Sequence, residues 1–206
     1  MRQIFFDLDG TLHQQDLFGS FIRYLIKKLP VNAALALCLV PPWFIGVCIL
    51  GRNDRRPMSL LLWALTVGHK ETMLKTLEKQ FIDDFKDIVT PFPVVQERLA
   101  EYLGATDTQI WLVTGSPETL VTGVYQHSFF LPKVKLVGSL IQRRYGGWIL
   151  ARRCLGEEKV RQLEARLDMP LHLFSGYSDS IQDDPVLRFC ERRWRVSFDG
   201  HLRELE

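Results

Sequence analysis

The chain has 206 residues, with 26 Lys and Arg against 24 Asp and Glu, and 47% of it is hydrophobic. That length fits one catalytic domain plus a modest insertion, and the apolar fraction is enough to fill a core rather than leave the chain disordered. A net charge of +2 is too small to argue for nucleic-acid binding, and none is expected. The four cysteines, Cys38, Cys48, Cys154 and Cys190, lack the CxxC spacing of a zinc site and read as thiols of a reducing compartment.

Ile4-Phe5-Phe6 is too short for a signal-peptide core and is closed at once by Asp7, so a buried strand is expected over 3–7, with the catalytic part in the cytoplasm. A helix is expected from about Asp16 to Leu29, with Leu17, Phe21, Tyr24, Leu25 and Ile26 apolar and Arg23, Lys27 and Lys28 basic. An uncharged stretch, Leu29 to Gly51, follows and ends in the basic cluster Arg52, Arg55 and Arg56. Met58 to Tyr102 reads as helical, interrupted at Pro91 and Pro93.

Gln109 to Val113 predicts a second buried strand, running into Thr114-Gly115-Ser116, with Pro117 and Glu118 in the first turn of a helix. Val134–Val137 is a further strand, and Ile141–Arg144 and Trp148–Ala151 flank a Tyr145-Gly146-Gly147 turn. Helix 157–168, strand 171–175, an acidic loop over 176–184 and a last strand at Arg193–Ser197 complete the pattern. Strands alternating with helices predict an α/β, Rossmann-like domain with a mainly parallel sheet, whose ligands gather at strand carboxyl ends.

Asp7-Leu8-Asp9-Gly10-Thr11 is the strongest chemical signal. Two carboxylates one residue apart, just past a buried strand, can converge on one metal, and Gly10 permits a turn that residues with a Cβ adopt poorly. Asp179 to Asp184 adds a second acidic cluster, and hard oxygen donors of this kind suit magnesium better than zinc. Thr114, with a backbone N–H at a helix start, can hold phosphoryl oxygens, and Lys159 can supply a compact positive charge. Alone, each has a plainer reading: an Asp-rich turn, a solvated acidic loop, a turn threonine, a surface lysine.

In order, Asp7-Leu8-Asp9-Gly10-Thr11, Leu112-Val113-Thr114-Gly115-Ser116, Gly156-Glu157-Glu158-Lys159 and Asp179-Ser180-Ile181-Gln182-Asp183 resemble the four motifs of the haloacid-dehalogenase superfamily. Tyr177-Ser178-Asp179-Ser180 is similar to its phosphoserine-phosphatase-like subgroup. The resemblance implies that Asp7 is the nucleophile, Asp9 the general acid and base, and Lys159 a stabiliser of charge. It implies phosphate binding by Thr114 and Gly115, Mg2+ held by Asp7, Asp9 and Asp179, and support of the metal shell by Asp183. An acid at position 9, where transporting ATPases of the superfamily resemble the pattern with Thr, favours hydrolysis.

The resemblance also implies a catalytic core over 1–15 and 106–206 and a helical cap over 16–105. Within the cap, Val31 to Leu50 carries no charge and one polar side chain, Asn32. A single membrane crossing would separate Asp7 from Thr114, Lys159 and Asp179, so a helix–Pro41-Pro42–helix hairpin dipping into one leaflet is expected, its basic flanks near anionic lipids. A buried helical hairpin in a soluble cap is the alternative. Segments including Pro57–Trp63 and Tyr145–Trp148 resemble bacterial phosphatidylglycerophosphatase C, which implies a phospholipid substrate, phosphatidylglycerophosphate, at the cytoplasmic face of the inner membrane. No protein partner is implied. The rivals are a soluble phosphatase for a small phosphomonoester, a phosphomutase and a non-enzymatic membrane adaptor; the adaptor would have no use for this set of site residues. Arg143, Arg144, Arg152 and Arg153 read as a solvated basic hairpin.

Overall fold

The computed structural model describes residues 1–51, 53–167 and 170–205. Its first strand, β1 (Arg2–Phe6), is followed by six helices: α1 (Leu17–Lys28), α2 (Pro30–Cys38), α3 (Val40–Leu50), α4 (Arg55–Thr66), α5 (Glu71–Lys86) and α6 (Pro93–Gly104). Then come β2 (Thr108–Pro117), α7 (Glu118–Tyr125), β3 (Lys135–Arg144), β4 (Gly147–Arg152) and α8 (Glu157–Glu164). The chain closes with β5 (Leu173–Ser178), a short α9 (Asp184–Leu187), β6 (Cys190–Val196) and β7 (Leu202–Leu205).

One sheet runs in the order β4-β3-β2-β1-β5-β6-β7. Its four central pairings are parallel, and only β3–β4 and β6–β7 at the edges are antiparallel. Alternation along the strands builds the two layers: Ile4, Phe6, Ile110 and Leu112 join the larger core, which the cap helices share. Phe5, Trp111 and Val113 point to the opposite face, toward Val160 and Leu163 of α8 and Val186 and Leu187 of α9. Both faces of β1 are therefore covered, and its carboxyl end opens toward the helices inserted after it.

Several strands differ from the sequence expectation: β2 runs on to Pro117, an extended residue that precedes α7 rather than sitting in its first turn, and β6 starts at Cys190 rather than Arg193. Residues 134–137 and 141–144 are not separate: β3 is nearly continuous through Gly138, where a Cβ would meet the Ser116 carbonyl at 2.7 Å. β5 runs on to Ser178, because Tyr177 stacks between Phe6 and Trp194 (ring centroids 4.4 and 6.0 Å) and is buried by its neighbours rather than looped out. β7 was not expected; it is a short edge strand with no fully buried side chain and so no apolar pattern to read. The long helical reading of 58–102 is broken at Val67–Lys70, with Gly68 at φ +83. The end of the predicted helix at Asp168, and Arg52 of the basic cluster, lie outside the described residues.

The returning hairpin is also corrected. The break between α2 and α3 falls at Leu39, and Pro41 and Pro42 sit in the first turn of α3, where the missing proline N–H leaves no bond unmade. The two helices meet at a bend of 55°, an elbow rather than a hairpin. The chain turns back only after Gly51 (φ +85), into α4, which packs against both α2 and α3. Asn32 clamps this arrangement, its Nδ2 donating to the Ala64 and Val67 carbonyls at 3.0 and 2.9 Å. The run is not enclosed either: Ala36 is the one buried residue of α2 and α3 has none. Among the described residues no single helix is long and apolar enough to cross a membrane.

Candidate active site

The site forms where β1, β2 and β5 end side by side. Asp7 follows β1, its N–H donating to the Tyr177 carbonyl of β5 at 2.9 Å, so the strand pairing itself fixes its backbone. Gly10 (φ +71) lets the chain turn under the fourth motif: a Cβ there would stand 2.5 Å from Asp179 Oδ2. Thr11, fully buried, locks the same two loops, accepting from the Asp179 N–H at 3.0 Å and facing its Oδ1 at 3.3 Å.

Lys159, on the first turn of α8, reaches through the core with 1% of its surface exposed. Its Nζ lies 2.8 Å from Asp7 Oδ1 and 2.8 Å from Asp183 Oδ2. Asp183 Oδ2 also accepts from Ser178 Oγ at 2.7 Å. Asp183 thus aims the lysine. Burial would lower the Lys159 pKa, but Asp183 and Asp7 outweigh it and hold the ammonium charged. Burial pushes the Asp7 carboxyl well up; Lys159 opposes this, while Asp183 and Asp179 add to it.

Asp9 faces the cavity from the other side. Its Oδ2 accepts from Ser116 Oγ at 2.6 Å and Thr114 Oγ1 at 3.2 Å, and its Oδ1 from the Leu17 N–H at 2.8 Å. Burial raises its pKa to about 6, with the Ser116 and Leu17 bonds holding it lower than burial alone would. Thr114, expected to offer its hydroxyl to phosphate, is fully buried and spends it on Asp9. Gly115 keeps the expected position on the cavity wall; a Cβ there would meet Leu155 Cδ2 at 2.6 Å.

Asp7, Asp9, Gly115 and Asp179 line one cavity of about 630 Å³, roofed by Phe18 and Ile22 of α1 and Met58 of α4. Among the described residues, no three carboxylate, thiol or imidazole side chains converge on one point as metal ligands. The set still fits a hard cation that keeps waters: a buried carboxylate, Asp7, and a more exposed one, Asp179, both pushed up by desolvation and by like-charged neighbours, line the cavity together with Asp9. A cation there would relieve that repulsion.

A family model for haloacid dehalogenase-like hydrolases matches residues 4–188. The chain belongs to this family. Members of the haloacid dehalogenase-like hydrolase family with phosphatase activity generally use Mg2+. Solved structures share the fold of this haloacid dehalogenase-like hydrolase. One, a protein of unknown function from Bordetella pertussis Tohama I, is 20% identical with a TM-score of 0.69, over 94% of this chain and 89% of that one. A phosphoserine phosphohydrolase-like protein from Francisella tularensis is 14% identical with a TM-score of 0.61, over 94% and 86%. A phosphoserine phosphatase solved as a phospho-aspartyl intermediate analogue is 14% identical with a TM-score of 0.54, over 93% and 84%.

Sequence reasoning gave no role to four residues that hold the site together: Thr11, His13, Ser116 and Ser178. Thr11, Ser116 and Ser178 lie inside the motif segments, so a signal existed. His13 had none: it is fully buried, its Nε2 3.5 Å from Asp9 Oδ1, with Phe85 and Tyr125 around its ring. Burial lowers its pKa to about 4, keeping it neutral beside the carboxylate.

Proposed function

We propose that this hydrolase is a magnesium-dependent phosphomonoesterase acting on a phospholipid headgroup, with phosphatidylglycerophosphate as substrate, at the cytoplasmic face of a bacterial inner membrane. The observation that carries the lipid reading is α3: eleven residues, none charged and none buried, with Phe44, Ile45 and Ile49 at 60%, 57% and 75% exposure. A monomer in water rarely leaves such a contiguous apolar face uncovered. The helix that follows it, α4, supplies Met58 to the roof of the catalytic cavity, so a surface that received α3 would lie near the opening. The elbow geometry favours α3 lying in the interface rather than inserting as a returning hairpin.

In this reading Asp7 attacks phosphorus, the bond to the leaving alkoxide breaks, and Asp9 gives its proton to that oxygen. Asp9, now a carboxylate, takes a proton from water, which attacks the aspartyl-phosphate and frees Asp7 and inorganic phosphate. Lys159 offsets charge on the nucleophile and the phosphoryl oxygens, and the Gly115 N–H faces those oxygens. Thr114 and Ser116 hold Asp9 toward the leaving group. Magnesium, held by Asp7, Asp179 and the Asp9 carbonyl, would supply further positive charge to the phosphoryl group.

The second reading is a phosphatase for a small, phosphoserine-like monoester, favoured by the phosphoserine phosphatase among the structures of like fold. Phosphate release from phosphatidylglycerophosphate in mixed micelles, set against phosphoserine with and without magnesium, separates the two. Preference for phosphoserine would overturn the lipid assignment. Loss of neither activity on chelation would overturn the metal.

A further inference from the structure

His13 is a buried polar group that the catalytic steps above leave without a task. None of its surface is exposed, yet neither ring nitrogen has a hydrogen-bond partner among the described residues. A buried donor left unbonded is a standing cost to a fold. Its neighbours do not remove that cost. Gln15 spends its amide on Thr90, donating from Nε2 to Oγ1 at 3.1 Å and accepting from the N–H at 2.9 Å. The Tyr125 hydroxyl, on a ring whose centroid lies 5.9 Å away, is itself buried and unpartnered. His13 Nε2 instead stands 3.5 Å from Asp9 Oδ1, about half an ångström beyond an ordinary N–H···O bond.

The imidazole is held between the first-motif loop and the segment joining α5 to α6. Backbone bridges tie His13 to Asp9 on one side and to Pro91 on the other. The Gln14 N–H donates to the Thr90 carbonyl at 3.0 Å and the Phe92 N–H to the Leu12 carbonyl at 3.1 Å, so the loop is fixed on both sides of position 13. Phe85 of α5 and Tyr125 of α7 flank the ring.

The groups around Asp9 are of two kinds. Oδ2 accepts from the Ser116 and Thr114 hydroxyls, whereas Oδ1 accepts from the Leu17 N–H and faces His13. A hydroxyl can rotate to accept a proton from the carboxyl group; an N–H cannot. Two N–H groups on Oδ1 would therefore hold the proton of the acid to Oδ2, the oxygen shared with Ser116, which lines the catalytic cavity. Resting on the phosphatase reading of Asp9, we propose that His13 is a positioning residue for the general acid: in the substrate complex its Nε2–H closes onto Asp9 Oδ1 and keeps the transferable proton on Oδ2. Catalytic hydrogen bonds are often long in a free enzyme and tighten once substrate is bound.

The test compares kcat on an alkyl ester, glycerol 3-phosphate, with kcat on p-nitrophenyl phosphate, whose leaving group departs without a proton, using the full chain with magnesium. Asp9→Asn is expected to collapse the alkyl-to-nitrophenyl ratio; if it does not, the acid assignment fails and the role of His13 falls with it. His13→Phe keeps a ring between Phe85 and Tyr125 but has no donor, and is expected to lower the ratio about tenfold, the scale of one hydrogen bond. His13→Leu gives the same reading where the larger ring disturbs folding. His13→Gln, which restores an amide N–H, should recover most of the ratio. An unchanged ratio in His13→Phe and His13→Leu, whether both rates hold or fall together, overturns the proposal. So does an equal loss in His13→Gln, which would make the imidazole a packing element only. Neither ester contains a lipid, so failure of the lipid assignment shows separately, as phosphatidylglycerophosphate turned over no faster than glycerol 3-phosphate.

Discussion

Lys159 and Asp7 meet at 2.8 Å although 152 positions of chain separate them. Both are buried, so neither charge has water to fall back on, and each depends on the other and on Asp183. Removing the ammonium in Lys159→Met leaves Asp7 and Asp183 buried as like charges. Stability should fall by about 3–5 kcal/mol, the usual cost of breaking a buried pair from one side, together with activity. A denaturant melt measures the first. Asp7→Asn, by contrast, keeps Lys159 paired with Asp183; it should fold normally yet lose all measurable turnover, and residual turnover would overturn the nucleophile assignment.

Asp9, with its pKa near 6, sets the pH profile. As the acid for an alkyl phosphate it must carry a proton, so kcat/KM should fall as pH rises through about 6. Ser116→Ala removes a bond that favours the carboxylate form, so the pKa rises and the falling limb should move to higher pH. A limb that moves to lower pH, or stays put, would take Asp9 out of the acid role.

Phe44 and Ile45 are more exposed than buried, so Phe44→Ser with Ile45→Ser should change folding stability by no more than about 0.5 kcal/mol each. If α3 enters a lipid interface, the same pair removes about 3 kcal/mol or more of apolar transfer. Co-sedimentation with vesicles containing anionic lipid should then drop at least tenfold. Equal vesicle binding by the variant would remove α3 from the membrane contact.

Gly10→Ala meets two obstacles at once, a φ of +71 and a contact at 2.5 Å with Asp179. A stability loss above about 1 kcal/mol is expected, with a sharper loss of activity as the Asp179 loop is pushed outward. Parallel melts and phosphate-release assays would check both, and an unaffected enzyme would show that the two loops need not approach so closely.

Phe6-Asp7-Leu8-Asp9-Gly10-Thr11 could be read as strand, turn and paired carboxylates because each of those features is local: an apolar run, a glycine, two acids at fixed spacing. The apolar run Ile4-Phe5-Phe6 was equally legible as a buried strand, while its place in the middle of a sheet covered on both faces came from the fold. The start of α1 near Asp16, whose carboxylate accepts from the Gly19 N–H at 2.8 Å, and the Tyr145-Gly146 turn between β3 and β4 follow from neighbours a few positions away. What sequence could not give were outcomes settled by distant partners. Thr114 turns to Asp9 rather than outward, Asp183 steadies Lys159, and His13 is sealed beside Asp9.

The amino-acid order alone thus determined the family, the strand ends that carry acid groups, and the uncharged character of residues 31–50. Tertiary structure decided how that uncharged run is bent and what it leaves uncovered. Composition reports how apolar a segment is, whereas a 55° elbow docked on α4 depends on contacts such as Asn32 with Ala64 and Val67 that no local pattern encodes. The same holds for Arg153: four arginines in two pairs look alike in sequence, and only the packing of the α4 start against the β4–α8 segment turns one of them toward the reacting site.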